Sequence, residues 1–204
     1  RRHAIKSPQD AFISQLLRGL LFMRTFRIAT AFVIGLFIAN LSAVQAQDAF
    51  NRYEMRGGVF AHDPMSPEKG SADINAEILS PRLPIAAGAW QLLVPRLHLG
   101  TTVNTAGKTS HGYAGLTWDY DLSKSFFVEA SLGGDLNNGK TGNMLVSGRN
   151  AMGCAAAFRE SASLGYRINT NLSVMTTIEH VSNAGFCERN RGLTNMGLRL
   201  GYAF

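Results

Sequence analysis

Charge is scarce in this chain, and so are cysteine, tryptophan and long apolar runs. Charged residues make up 17% of the 204 positions, too few for a disordered chain or an ordinary solvated surface. Two cysteines, Cys154 and Cys187, with no paired histidine motif do not make a zinc site. No phosphate-binding glycine loop, nucleotide motif or metal-ligand cluster occurs, so no cofactor is expected. There is no internal repeat and no low-complexity tract. After residue 46 no segment reaches about 18 consecutive apolar residues, which excludes a membrane-spanning helix there. The formal charge of +6 points to nucleic acid only until it is read by region. Residues 1–46 carry Arg1, Arg2, Lys6, Arg18, Arg24 and Arg27 against the single acid Asp10, whereas 47–204 carry 14 basic and 13 acidic residues. The basic character belongs to the leader, and no nucleic-acid partner is expected.

The leader has the three parts of a signal peptide. Met23 is the first methionine, Arg24 and Arg27 form a positive n-region, and Ile28–Leu41 is apolar. Val44-Gln45-Ala46 has the small-x-small character of a cleavage site. A membrane anchor needs about 20 apolar residues, more than this run supplies. The expected organisation is therefore a non-native upstream extension at 1–22, a cleaved signal peptide at 23–46 and one domain at 47–204. Export exposes the two cysteines to an oxidising compartment, where a pair can bridge. Two free, buried thiols are the other reading, but both residues lie in polar, Gly/Asn-rich segments, which favours a disulfide.

The strongest pattern after the leader is period-2 alternation. It predicts eight strands: Tyr53–Ala61, Ala72–Ser80, Arg96–Val103, His111–Tyr120, Ser125–Gly133, Phe158–Tyr166, Leu172–Val181 and Leu193–Phe204. The polar face is unusual. Asp73, Asn75 and Glu77 oppose Ile74, Ala76 and Ile78. Arg96, His98 and Thr102 oppose Leu97, Leu99 and Val103. Arg159, Ser161 and Ser163 oppose Phe158, Ala162 and Leu164, with Glu160 an exception on the apolar side. Charges turned into a soluble sandwich core would be costly. They suit a small membrane barrel, polar within and apolar outside. The last strand, with Leu198, Leu200, Tyr202 and Phe204 on one face, is similar to the closing strand of bacterial outer-membrane barrels. A soluble sandwich ending in Phe is the alternative. The fold class expected is all-β, an eight-stranded antiparallel transmembrane barrel.

Short turns near Asp119–Lys124 and Asn169–Thr170 alternate with longer segments near His62–Ser71, Asn104–Ser110, Gly134–Ala157 and Asn183–Gly192. Pro81–Pro95, which contains Trp90, is long for a turn and reads as a small helix or an interfacial segment. Cys154 and Cys187 fall in the third and fourth long segments, so a bridge would tie two outer loops. Lys69, Lys108, Lys140, Arg149, Arg189 and Arg191 also fall in outer loops, as phosphate partners or as ordinary solvated charge. His62, His98 and His111 read as barrel-lining or loop residues.

The chemically suggestive segment is Glu179-His180-Val181-Ser182-Asn183-Ala184-Gly185. In a strand, His180 and Ser182 lie on one face with Cα atoms about 6.6 Å apart. At that spacing an imidazole can activate a hydroxyl as nucleophile. Both share the apolar face with Val174 and Ile178, where a polar pair is costly unless used. Glu179 faces inward. An interfacial strand end that tolerates His and Ser is the plainer reading.

His180-Val-Ser-Asn-Ala-Gly185, followed by Asn190-x-Gly192 and a last strand ending in Phe, resembles the outer-membrane lipid A 3-O-deacylase family (PagL-type acyloxyacyl hydrolases). Gly57-Gly-Val-Phe-Ala-His62-Asp63 is similar to that family's first strand. The resemblance implies an eight-stranded barrel in the bacterial outer membrane that hydrolyses an ester-linked acyl chain of lipid A, with lipopolysaccharide and outer-membrane lipids as partners. It implies Ser182 as nucleophile, His180 as general base and Asn183 as part of the oxyanion hole. The family places a catalytic Glu where this chain has Thr194. Thr194 can hold the ring but supplies no charge. Glu188, in the adjoining loop, is a candidate substitute acid. The alternative is a non-catalytic lipopolysaccharide-binding or structural barrel with a degenerate site. A small porin is disfavoured because eight strands leave little lumen, and an adhesion barrel would leave His180 and Ser182 unexplained. An oligomer is compatible with all of these.

Overall fold

The structure, a computed structural model, describes residues 49–85, 90, 93–143 and 145–204. The expected extension at 1–22 and signal peptide at 23–46 lie outside the described residues, as do 86–89 and 91–92 of the Pro81–Pro95 segment. In that segment β2 runs to Arg82 through an irregularity after Leu79, and a turn follows.

Eight strands form a closed barrel. They are β1 (Glu54–Ala61), β2 (Ala72–Arg82), β3 (Arg96–Asn104), β4 (His111–Asp121), β5 (Phe126–Asn137), β6 (Ala156–Arg167), β7 (Leu172–Ser182) and β8 (Leu193–Ala203). All neighbours are antiparallel, and β1 closes on β8 from Glu54↔Ala203 to Ala61↔Met196. The eight expected strands are all present. The third long loop is shorter than the alternation indicated, because β5 continues to Asn137 and β6 starts at Ala156. Asp135 and Asn137 keep the inward parity there, and Asp135 meets His111 Nδ1 at 2.7 Å.

The barrel's chemistry follows from its alternation. Outward positions are apolar and exposed, among them Val59, Ile74, Leu99, Leu132, Leu164, Ile178 and Leu198. Inward positions are charged and buried, among them Arg56, Glu77, Arg96, Glu129, Arg159, Glu179 and Arg199. These charges are stable because they are paired. Arg56 reaches Glu54 (2.9 Å), Glu77 (3.1 Å) and Glu129 (2.6 Å). Arg159 reaches Glu179 (2.8 Å), and Arg199 reaches Glu77 (2.8 Å). The Tyr113 ring also occupies the interior, under the Arg159 guanidinium at 3.7 Å. It fits because Gly100 has no side chain, since a Cβ there would come within 2.6 Å of the ring. An apolar exterior around an interlocked charged interior is the arrangement of a bilayer-crossing barrel.

At one end lie two short connections, 122–125 and 168–171. At the other lie loops 62–71, 105–110, 138–155 and 183–192. Within the third of these, Lys140–Thr141 and Ala151–Gly153 form a parallel two-stranded ribbon. Cys154 and Cys187 form a disulfide between the last two loops, as their setting favoured.

Candidate functional site

The site lies on the outer face where β7 and β8 reach the loop end. His180 and Ser182 alternate outward with Val181 between them, and Val181 is buried against Met152 and Leu193. This apolar layer fixes the strands behind the two polar side chains. Register sets the lateral neighbours: Thr194 of β8 is directly opposite His180 on one side, and Glu160 of β6 is directly opposite on the other.

His180 Nδ1 lies 2.7 Å from Thr194 Oγ1. With Nδ1 occupied, Nε2 is the nitrogen left for Ser182. The ring lies over Gly192, where a Cβ would sit 3.0 Å from Cε1 and 3.3 Å from Nε2. Gly192 also has φ +70, so the position suits glycine for both space and backbone. Ser182 is half-buried, and its hydroxyl makes no hydrogen bond with the ring in this structure.

Beneath the outer face a buried polar relay braces Thr194. Its backbone N–H donates to Asp63 Oδ1 (3.2 Å), and the Asp63 N–H donates to Asn195 Oδ1 (3.1 Å). Asn150 Nδ2 donates to Asp63 Oδ2 (2.5 Å) and to Gly192 O (3.1 Å). Asp63 has φ 35, in the left-handed region that non-glycine residues seldom adopt, and these bonds hold it there. The Asn150 N–H donates in turn to Glu68 (2.9 Å), which also takes Thr109 N–H, Arg149 Nε and His62 Nε2. His62 Nδ1 meets Asp73 at 2.9 Å. Burial alone would push the His62 imidazole down, but the Asp73 and Glu68 carboxylates outweigh it and raise it to about 9. Burial would likewise push the Glu68 carboxyl up, yet its donors hold it well below the usual carboxylate range. His62 is thus a loop residue, while His98 and His111 line the interior.

Asn183 is buried and fully engaged. Its Nδ2 donates to Met152 O (2.7 Å) and Arg189 O (2.6 Å), and its Oδ1 accepts from the Gly185 N–H (2.9 Å). Its own N–H donates to Asn190 Oδ1 (3.0 Å). The amide expected in the oxyanion hole is therefore committed to the loop. The exposed Asn190 keeps its Nδ2 without a partner among the described residues.

Glu188 is exposed next to the disulfide, and the structure does not bring it into contact with His180. Glu179 faces inward, on Arg159, as parity required. Glu160 is the residue that sequence reasoning did not place in the site. The signal was present as a break in alternation, but its neighbour could be known only from register. Beside Ser182, Phe158 is the cross-strand partner, and its ring lies 6.1 Å from that of Phe186, which is 80% exposed. Among the described residues no group of three or more His, Cys, Asp or Glu side chains could hold a metal.

A family model described as Lipid A 3-O-deacylase (PagL) matches residues 85–203. The chain is similar to the crystal structure of the outer membrane enzyme PagL, with 18% identity and a TM-score of 0.58, over 74% of this chain and 99% of that one. It is also similar to the crystal structure of the N-terminal β-barrel domain of Pseudomonas aeruginosa OprF, with 14% identity and a TM-score of 0.52, over 76% of this chain and 98% of that one. At these identities both structures speak for the fold alone. No curated protein matches the chain significantly.

Proposed function

The chain belongs to the lipid A 3-O-deacylase (PagL) family, and from that premise we propose that it is an outer-membrane esterase removing an ester-linked acyl chain, the 3-O chain, from lipid A. The observation that carries this reading is the 2.7 Å contact of His180 with Thr194 on the lipid-facing wall, one position from Ser182 on the same face. A hydrophobic wall is a poor place for three polar side chains unless the substrate is there too.

In this mechanism Thr194 Oγ1 accepts the Nδ1–H of His180, leaving Nε2 as the base. The Ser182 hydroxyl proton moves to Nε2 as Oγ bonds to the ester carbonyl carbon. Collapse of the tetrahedral intermediate breaks the bond to the sugar oxygen, which takes the proton from the imidazolium. Water, deprotonated by Nε2, then releases the fatty acid and regenerates Ser182. The unpartnered Nδ2 of Asn190 is a donor for the oxyanion. Asn183 contributes to the oxyanion hole by holding the loop that presents it. Phe158 and Phe186 offer apolar contact to the acyl chain. Of the loop cations, Lys108, Arg149 and Arg191 are bonded to Glu68 O, to the Glu68 carboxylate and to Met65 O. Lys69, Lys140 and Arg189 make no ion pair among the described residues and are the ones available to lipid A phosphates. Residues 23–46 are the export signal in this reading.

The test is mass spectrometry of lipid A incubated with the protein in detergent, beside Ser182→Ala and His180→Asn. Loss of one hydroxyacyl mass, absent with both variants, is expected. No mass change with the unaltered protein favours the second reading, a lipopolysaccharide-binding barrel without turnover, for which the neutral Thr194 is the specific support.

A further inference from the structure

We propose that Glu160 is the positioning residue that supplies the negative charge His180 needs, from β6, on the side of the ring opposite Thr194. This rests on the esterase reading above and concerns how that site works without a carboxylate at Thr194.

The first observation is solitude. Along the outward face of the eight strands, Glu160 is the single charged side chain among the described residues. Its cross-strand partner on β5 is Leu132, and its same-face neighbours along β6 are Phe158 and Ala162. A carboxylate in such a setting is destabilising, and increasingly so toward the middle of the bilayer. No ion pair among the described residues accounts for it.

The second observation is register. Glu160 pairs with His180, and His180 pairs with Thr194, so the three form one row across β6, β7 and β8. Directly opposed residues of antiparallel strands have Cβ atoms about 4.5–5.5 Å apart. The only titratable side chain facing Glu160 from the neighbouring strands is therefore His180. In this structure the carboxylate is exposed and makes no hydrogen bond with the ring. None is required for an electrostatic role, because a carboxylate on the adjoining strand acts through space and is weakly screened where lipid replaces water.

The chemistry supplies the third argument. A Thr hydroxyl can accept from Nδ1–H or donate to bare Nδ1, so it satisfies either tautomer of His180 and favours neither. It also leaves the imidazolium formed during acyl transfer uncompensated. A carboxylate beside the ring offsets that charge while the proton resides on Nε2, and does so without touching the reacting atoms.

The experiment compares the unaltered chain, Glu160→Gln, Glu160→Asp, Thr194→Glu and the double variant Glu160→Gln/Thr194→Glu on lipid A in mixed micelles, with kcat and KM separated and Ser182→Ala as blank. Folding is checked by heat-dependent gel mobility. Glu160→Gln is nearly isosteric and removes a charge from a lipid-facing surface, so the barrel is expected to fold. The expected result is a fall in kcat of about tenfold to a hundredfold for Glu160→Gln at nearly constant KM. Partial activity is expected in Glu160→Asp, and recovery in the double variant. Turnover in Glu160→Gln equal to that of the unaltered chain overturns the proposal and leaves the esterase reading intact. An inert unaltered chain beside an active Thr194→Glu variant also overturns it, because Glu160 then does not suffice, while the Ser182/His180 site stands. If neither turns over, both readings fall.

Discussion

His180 Nδ1 and Thr194 Oγ1 are 2.7 Å apart across the β7–β8 pair, on the outer wall of a barrel whose strand charges, Glu160 excepted, point inward. The contact orients the ring without charging its partner. In the proposed mechanism it thereby separates two tasks that a carboxylate performs together, aiming the imidazole and balancing the proton it receives.

Replacing Thr194 by Val should keep the shape and delete the aim. Loss of one hydrogen bond of about 1 kcal/mol corresponds to roughly a fivefold drop in kcat. Thr194→Glu should raise kcat above that of the unaltered protein. Both are read from the time course of hydroxyacyl loss by mass spectrometry.

Gly192→Ala should damage the site and spare the barrel. The added Cβ meets His180 Cε1 at 3.0 Å, and the backbone has φ +70. A displacement of the ring by a fraction of an ångström is expected to lower kcat roughly tenfold or more. Unchanged gel mobility with normal activity would show that the ring has room to give.

The His62–Glu68 pair makes the loop end pH-sensitive in a definite direction. His62 is raised from 6.5 to about 9, so its contribution is complete below 6.5 and is lost as pH climbs through 9. Glu68 is lowered from 4.5, so its contribution is present above 4.5 and fades as pH falls below it. Protection of the amides in loops 62–71 and 138–155, measured relative to their intrinsic exchange rate at each pH, should be greatest between 4.5 and 6.5. His62→Gln should abolish the alkaline loss of protection and leave the acid one.

Reducing the Cys154–Cys187 bridge should loosen the loops rather than unfold the strands, which are tied by their own ladders. Limited proteolysis at 138–155 and 183–192 should accelerate on reduction, with strand content by circular dichroism unchanged. The increase should be moderate, because Asn183 Nδ2 still joins the two loops through Met152 O.

Phe186→Ala removes an exposed ring that lies near Phe158, the cross-strand partner of Ser182, and should act on binding. KM for a long-chain substrate should rise severalfold with kcat nearly constant. Equal losses with short-chain and long-chain esters would show that the ring does not contact the acyl chain.

Nearly all of the barrel was readable in the sequence, because inward and outward positions alternate with period two and the two environments select opposite chemistries. Asp73, Asn75 and Glu77 set against Ile74 and Ile78 already specify which face is which. The outward placement of His180, Ser182 and Thr194 followed from parity alone. What parity cannot supply is lateral position. Glu160 was visible as an exception, but its neighbour depends on the stagger of β6 against β7. The commitment of the Asn183 amide was hidden for a similar reason, since one acceptor, Met152 O, belongs to a loop 31 positions away. Asp63 and Asn150, 87 positions apart, meet only because the barrel closes.

The candidate site faces outward, so in the proposed reaction a lipid substrate reaches it by sliding within the leaflet and not by diffusing through solution. For such a reaction the relevant concentration is a mole fraction in a surface. Diluting the substrate with inert detergent at constant bulk amount would slow turnover, whereas adding buffer to the same micelles would leave it unchanged. The geometry of one strand face thus fixes the dimension in which the kinetics are to be measured.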